Sequence, residues 1–333
     1  VDAAGPGAVR QMEPRKVSWL DKAIRWVKGL FVKDGYGTLR LSSDSFSPTR
    51  TVVKGGTLLA YKDETLDTCL VVTNGGSFVG NLNWGELSGG TWTGARSGII
   101  VAGDASSFTF PNGNAFGDAP GCFLEVIGSP TLGNFGWSLG GSASGNRMTF
   151  RGGKYATSGA LYCGYGNNST SNRWELLDGA QITIADRLWL SYGNGSSAAG
   201  GQVFFLSGEG TAFKSTSGSW MHIGNFSGGN RLEVENGALF SVKAIRVGTG
   251  SEPSSTSHGN SIFVHDGGVV NLFETANASS LEIGYANKSA ATGNFVRVES
   301  QGVITNGGYC VIGSLASAKN NRLVVANDGR FVN

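Results

Sequence analysis

Asn230-Arg231-Leu232-Glu233-Val234-Glu235-Asn236-Gly237, followed by Ala238-Leu239-Phe240 and closed by Ile245-Arg246-Val247-Gly248, is one copy of a phrase that recurs from residue 146 to the last residue. Each copy has an Asn, an alternating stretch, a Gly, a second alternating stretch and an apolar-Gly step. The copies start at Asn146, Asn172, Gly201, Asn230, Asn260, Asn294 and Asn321, separated by 26, 29, 29, 30, 34 and 27 residues. The closing step returns as Ile223-Gly224, Ile283-Gly284 and Ile312-Gly313, and in weaker form as Leu139-Gly140, Cys163-Gly164 and Tyr192-Gly193.

Two and four residues past each start stand Met148/Phe150, Trp174/Leu176, Val203/Phe205, Leu232/Val234, Ile262/Val264, Val296/Val298 and Leu323/Val325, all apolar. Period two with one apolar face describes a strand lying over a core. So short a strand cannot bury that face alone, so successive copies must stack and share it. Three short strands and three turns per copy predict an all-β fold, a parallel β-helix of coils about 29 residues long. Its hand is expected to be right, following parallel crossovers. The opening Asn residues read as a ladder, each amide bonding the turn backbone and its copy one coil up.

Composition agrees. Of 333 residues 54 are Gly and only 7 are Pro, while charged residues make up 15%. Collagen, coiled coil and an ordinary helical globule are excluded. With 18 Phe and 8 Trp in a 40% apolar chain, the glycine excess means turns rather than disorder. A net charge of +2 gives no reason to expect nucleic acid as a partner. No run of 18 apolar residues exists, so no transmembrane segment is expected. A first residue that is Val rather than Met suggests a processed chain whose targeting signal is gone. Cys69, Cys122, Cys163 and Cys310 lie far apart with no CxxC spacing, which points to no metal site.

The expected domains are a 1–34 N-terminal segment and a 35–333 β-helix, with its clearest repeats over 122–333. In the first segment Ser18 and Asp21 resemble a capping box. Leu20, Ala23, Ile24, Val27, Leu30 and Phe31 then form a helical stripe widened by Trp19 and Trp26 and flanked by basic residues. This amphipathic helix reads as a cap over the first coil, a plug for a neighbouring subunit or a membrane-surface anchor.

Gly35-Tyr36-Gly37-Thr38-Leu39-Arg40-Leu41 and Thr51-Val52-Val53-Lys54-Gly55-Gly56-Thr57-Leu58-Leu59 resemble the autotransporter-associated repeat of bacterial passenger domains. The units from Cys122 to Asn333 resemble the repeat shared by type V secreted and PEP-CTERM surface proteins. That resemblance implies a right-handed β-helix at the surface of a Gram-negative-type bacterium, and it implies little about chemistry. Against the pattern of those families, neither a translocator barrel nor a C-terminal sorting helix is expected within these 333 residues.

No HExxH, P-loop, GxSxG, EF-hand or RTX pattern is present, and no cofactor or enzymatic activity is expected. One charged constellation stands out. Five residues past their starts, Glu235, His265 and Glu299 should share an outward row on successive coils, with Glu233, Phe263 and Arg297 beside them. The trio reads as a weak candidate cation site or as a solvated charge ladder. Phe204, Leu206, Leu177, Phe263 and Val324 read as an outward apolar row that a partner or a loop of the same chain would cover. The last copy stops before its closing strand. Together with the N-terminal helix, this suggests head-to-tail self-assembly through Trp19, Leu20, Ile24, Trp26, Val27, Leu30, Phe31, Phe204, Leu206, Phe263, Leu323, Val325 and Phe331. The expectation is a secreted structural surface protein partnered by itself and by surface glycans. The alternatives are a protein that binds or cleaves carbohydrate on its flank, and an adhesin passenger fragment of a longer autotransporter.

Overall fold

The computed structural model describes residues 9–10, 30–33, 38–41, 50–54, 57–61, 69–72, 77–81, 98–109, 116, 120–133, 135–141, 143–166, 169–192, 200–250, 257–273 and 279–333. They contain strands and no helix, and the paired strands run parallel. The chain divides into two compact units, 1–136 and 137–333.

Unit 137–333 is a parallel β-solenoid. Its opening strands are Arg147–Arg151, Arg173–Leu177, Val203–Ser207, Arg231–Glu235, Ser261–Val264, Phe295–Val298 and Arg322–Val325. Seven middle strands, from Lys154–Thr157 to Arg330–Val332, form a second sheet. Seven closing strands, from Ser138–Leu139 to Tyr309–Ile312, form a third. The alternation expected of a strand over a core appears directly. In Arg173–Leu177, Trp174 and Leu176 are buried while Arg173, Glu175 and Leu177 are partly exposed. Aromatic rings continue the stack across coils, with Trp137 on Phe150 at 5.8 Å, Phe150 on Trp174 at 5.5 Å and Phe213 on Phe240 at 5.0 Å.

The Asn ladder explains why the two halves of the repeat phrase belong together. Asn230 N–H donates to Asn260 Oδ1 at 3.0 Å, Asn260 N–H to Asn294 Oδ1 at 3.0 Å, and Asn294 N–H to Asn321 Oδ1 at 3.0 Å. Each amide lies where the glycine of an earlier closing step has no side chain. A Cβ on Gly224 would sit 2.1 Å from Asn260 Oδ1, and one on Gly248 would sit 2.3 Å from Asn294 Cγ. Both glycines also hold positive φ, at 76° and 78°. The glycine makes the hole and the asparagine fills it.

One coil departs from the expected phase. Its ladder residue is Gln202 rather than Gly201: Asn172 N–H donates to Gln202 Oε1 at 3.0 Å, and Gln202 N–H donates to Asn230 Oδ1 at 3.1 Å. A glutamine replaces the asparagine and still reaches both neighbours. The shift moves every side chain of Val203–Ser207 to the other face. Phe204 and Leu206, read as outward, are therefore fully buried, while Val203 and Phe205 face outward and are only partly covered. In the preceding coil, which opens at Asn172, the closing step is Leu190-Ser191, since Leu190 pairs with Cys163 and with Ile223, and it is not Tyr192-Gly193. Ser191 adopts φ 66° and its buried hydroxyl has no hydrogen-bond partner. A left-handed serine costs about 1 kcal/mol relative to glycine. Ser191→Gly is accordingly expected to raise stability by about 1 kcal/mol, read as a higher urea midpoint at unchanged slope.

The final coil also differs from expectation. Leu323 is only partly buried and Val325 is 46% exposed, because no strand of the described residues lies over them. Phe331 is partly exposed in the same turn.

Unit 1–136 spaces its strands less evenly, with starts at residues 30, 50, 69, 98 and 123 in one sheet. Leu30–Lys33, Arg50–Val53, Cys69–Val72, Gly98–Ala102 and Phe123–Ile127 follow one another in one sheet. Val9–Arg10, Thr38–Leu41, Thr57–Tyr61, Ser77–Asn81, Ser107–Thr109 and Thr131–Gly133 follow one another in another. Leu30 and Phe31 thus pair with Arg50 and Thr51 as strand, which ends any helix before them. Strand pairing also begins ahead of residue 35. Trp19, Leu20, Ile24, Trp26 and Val27 lie outside the described residues.

Candidate functional site

Two outward faces of the 137–333 solenoid carry chemistry, and the register of the strands builds both.

The first face belongs to the opening strands. Pairing places Arg231 beside Ser261 and Glu233 beside Phe263, so the side chains of Arg231–Glu235 meet those of the next coil. His265 Nε2 stands 3.2 Å from Glu233 Oε1 and 3.5 Å from Glu235 Oε2, and its Nδ1 is 2.8 Å from Asp266 Oδ2. Carboxylates only accept, so an imidazolium donating from both nitrogens satisfies this arrangement. Burial disfavours the charged ring. Its hydrogen bonds to Asp266 and Glu233, with Glu235 close by, nevertheless hold its pKa above the ordinary histidine value. Glu233 also pairs with Arg231, and Glu235 Oε1 accepts from Ser207 Oγ and Asn236 Nδ2, each at 2.9 Å.

Of the three residues expected to converge, Glu235 and His265 do so and Glu299 does not. Glu299 is taken by Arg297 at 2.6 Å, which together with His265 draws its pKa down. Glu233 fills its place, because the long side chain of a residue two positions back on the neighbouring coil reaches the ring.

The same face answers the question of its apolar row. Phe205, Phe263 and Phe295 are outward, and each lies under a guanidinium: Arg173 at 4.5 Å, Arg231 at 4.6 Å and Arg322 at 5.2 Å from the ring centres. Arginine stems and heads cover the rings, so the row is a cation–π ladder rather than a bare apolar patch.

The second face, on the closing strands, was not expected. Register aligns Tyr162, Trp189, His222, Arg246 and Glu282 in one outward row over five coils. Trp189 and His222 stack at 4.2 Å with 8° between their planes. Tyr192 meets Trp189 edge-on at 5.0 Å and Tyr162 at 5.4 Å. It also stacks on Tyr165 at 5.7 Å, and Tyr165 is 47% exposed. Further along, Arg246 lies between two rings, 4.3 Å from Trp220 and 4.2 Å from Tyr285. His222 is buried, and this burial, with Arg246 and Arg187 near it, lowers its pKa to about 3. It is a neutral stacking ring at any ordinary pH. Trp174 is buried in the core, while Trp189 and Trp220 share this flank with four tyrosines. Residues spaced a whole coil apart carry no local pattern, which is why sequence reading passed over them. The usable signal was the recurrence of an aromatic beside the closing step.

The acids of this flank are neutralised. Asp186 pairs with Arg187 at 3.3 Å and Glu282 with Arg246 at 2.7 Å. Cys163, buried in the core, has its thiol pKa pushed up by burial, so it is no nucleophile. No family model, curated protein or solved structure matches the chain, so the likeness to bacterial surface repeats stands on the quoted residues alone.

Proposed function

We propose that the chain is a non-catalytic β-solenoid that binds glycan chains along its closing-strand flank, as part of a secreted structural surface protein. The observation that carries this reading is the ring cluster of Tyr162, Tyr165, Trp189 and Tyr192. Aromatic rings grouped on an outer surface offer flat apolar platforms with polar rims, which suit the C–H faces and hydroxyls of sugar rings. Parallel coils repeat at about 4.8 Å, so successive rings form a track rather than a single pocket. That geometry fits an extended polymer better than a small molecule.

Glycoside cleavage needs a free acid and a second carboxylate flanking the bond. On this flank Asp186 and Glu282 are each held by an arginine, which favours binding over hydrolysis. The surface setting rests on the repeat resemblance, and self-assembly belongs to the same proposal.

Affinity electrophoresis through gels containing soluble polysaccharides tests the reading. At least one polysaccharide is expected to retard the chain. Trp189→Ala and Tyr165→Ala are each expected to weaken that retardation by about tenfold, equivalent to about 1.4 kcal/mol. Phe205→Ala, on the other face, should leave it unchanged. Migration unaffected by every polysaccharide tried, or equal retardation of Trp189→Ala and the parent, would overturn the proposal.

A further inference from the structure

The cluster on the opening-strand face has geometry that the glycan proposal does not use. One donor atom from each of His265, Glu233 and Glu235, a ring nitrogen and two carboxylate oxygens, lies within 4.8 Å of the other two. Two of the separations are 3.2 Å and 3.5 Å. A tetrahedral zinc ion holds nitrogen and oxygen donors at about 2.0–2.1 Å, which makes the edges of its coordination polyhedron about 3.3 Å. The His–Glu distances already match those edges.

The ring is also held as a zinc-binding histidine is held. Asp266 Oδ2 takes Nδ1 at 2.8 Å, directing Nε2 at the two glutamates. A carboxylate behind the remote nitrogen is the usual outer partner of a histidine ligand, and it raises the basicity of the metal-facing nitrogen. The glutamate side chains are only 11% and 19% exposed and that of His265 19%, so the donors converge just below the surface.

The geometry points to a divalent transition-metal site, best suited to Zn2+, formed by Glu233, Glu235 and His265 with Asp266 as the outer partner of the ring. The ion takes the place of the Nε2 proton, which leaves to solvent, so the cluster gains one net positive charge among three carboxylates. Arg231, now on Glu233 Oε1, can keep its ion pair through the second oxygen of that carboxylate. The charges on the next coil, Arg297 and Glu299, are paired with each other and add no net field. Because Glu233 and Glu235 sit on one coil and His265 follows the next strand, the ion would staple adjacent coils.

Titration of the full chain with Zn2+ by calorimetry and with Co2+ by visible absorbance tests this. One equivalent of each metal is expected to bind saturably, with the intense visible bands of low-coordinate Co2+. His265→Gln and Glu235→Gln should each weaken binding by at least a hundredfold, and Asp266→Asn by about tenfold as an outer partner does. Glu299→Gln should leave it unchanged. Far-ultraviolet circular dichroism checks that each variant keeps its strands, and the parent's Co2+ spectrum stands whether or not a variant folds. Absence of saturable binding to the parent, a weak octahedral Co2+ spectrum, or full affinity in folded His265→Gln would overturn the site.

Discussion

A Val234→Asp substitution is expected to destabilise the solenoid by more than ~4 kcal/mol, because it places an unpaired charge in a dry core. Val234 is fully buried and pairs in register with Leu206 on one coil and Val264 on the next, both fully buried. Among the described residues, both in-register neighbours on that side are apolar and offer a carboxylate no partner. The matched control is Val203→Asp. Val203 is also a strand valine, but it faces outward beside Arg231, and its replacement should cost no more than about 1 kcal/mol. Urea unfolding of the two variants separates the readings of the register. A simple count from Gly201 makes both substitutions equally damaging, whereas the ladder through Gln202 makes them very different. Since solenoid coils contact only their neighbours, hydrogen exchange should show the Val234→Asp damage centred on the coils from Val203 to Val264.

Asn260→Ala carries the second large effect, a loss of about 4 kcal/mol. The amide of Asn260 accepts from Asn230 N–H at 3.0 Å and Asn230 Nδ2 at 2.8 Å. It donates to Ser227 O at 3.0 Å, Ser257 Oγ at 2.9 Å and Asn294 Oδ1 at 3.0 Å. Truncation orphans the buried Asn230 N–H, at about 1–3 kcal/mol, and takes one bond each from Asn230 Nδ2, Ser227 O, Ser257 Oγ and Asn294 Oδ1, at about 1 kcal/mol apiece. Asn321 at the end of the ladder is only partly buried, so water replaces its lost partners and Asn321→Ala should cost about 1 kcal/mol. Thermal or urea unfolding of both variants checks the contrast. Equal and small losses would mean that the ladder contributes little to stability.

Much of this architecture was legible in the sequence because its determinants recur with a fixed spacing. The apolar pairs at Leu232/Val234 and Ile262/Val264, the asparagines and the apolar-Gly steps each repeat once per coil, and repetition at that period admits few folds. The reading failed where one residue broke the pattern. Gln202 does the work of an asparagine with one more methylene, and Ser191 stands where its neighbours have glycine at positive φ. Both substitutions look like interruptions in a sequence, and both are accommodated by packing against adjacent coils. The His265 cluster was half legible for a related reason. Its row of charges follows from the strand period, but the choice of Glu233 over Glu299 depends on which carboxylate a neighbouring arginine has already taken.

That this chain stacks parallel strands over a shared core, which residues of most coils face inward, and that Asn and Gly recur from coil to coil are all written in the amino-acid order. Those properties are set by local alternation and by contacts repeated at one spacing. What the outer faces present emerges only when the coils are stacked. Tyr162, Trp189, His222, Arg246 and Glu282 are 120 residues apart from first to last, counting from 162 to 282, and become one row only through strand register. Surface side chains on a solenoid obey no periodicity of their own, since water tolerates nearly any residue there. Their neighbours are chosen by the lengths of the intervening turns and loops, which vary from coil to coil while the core beneath them repeats.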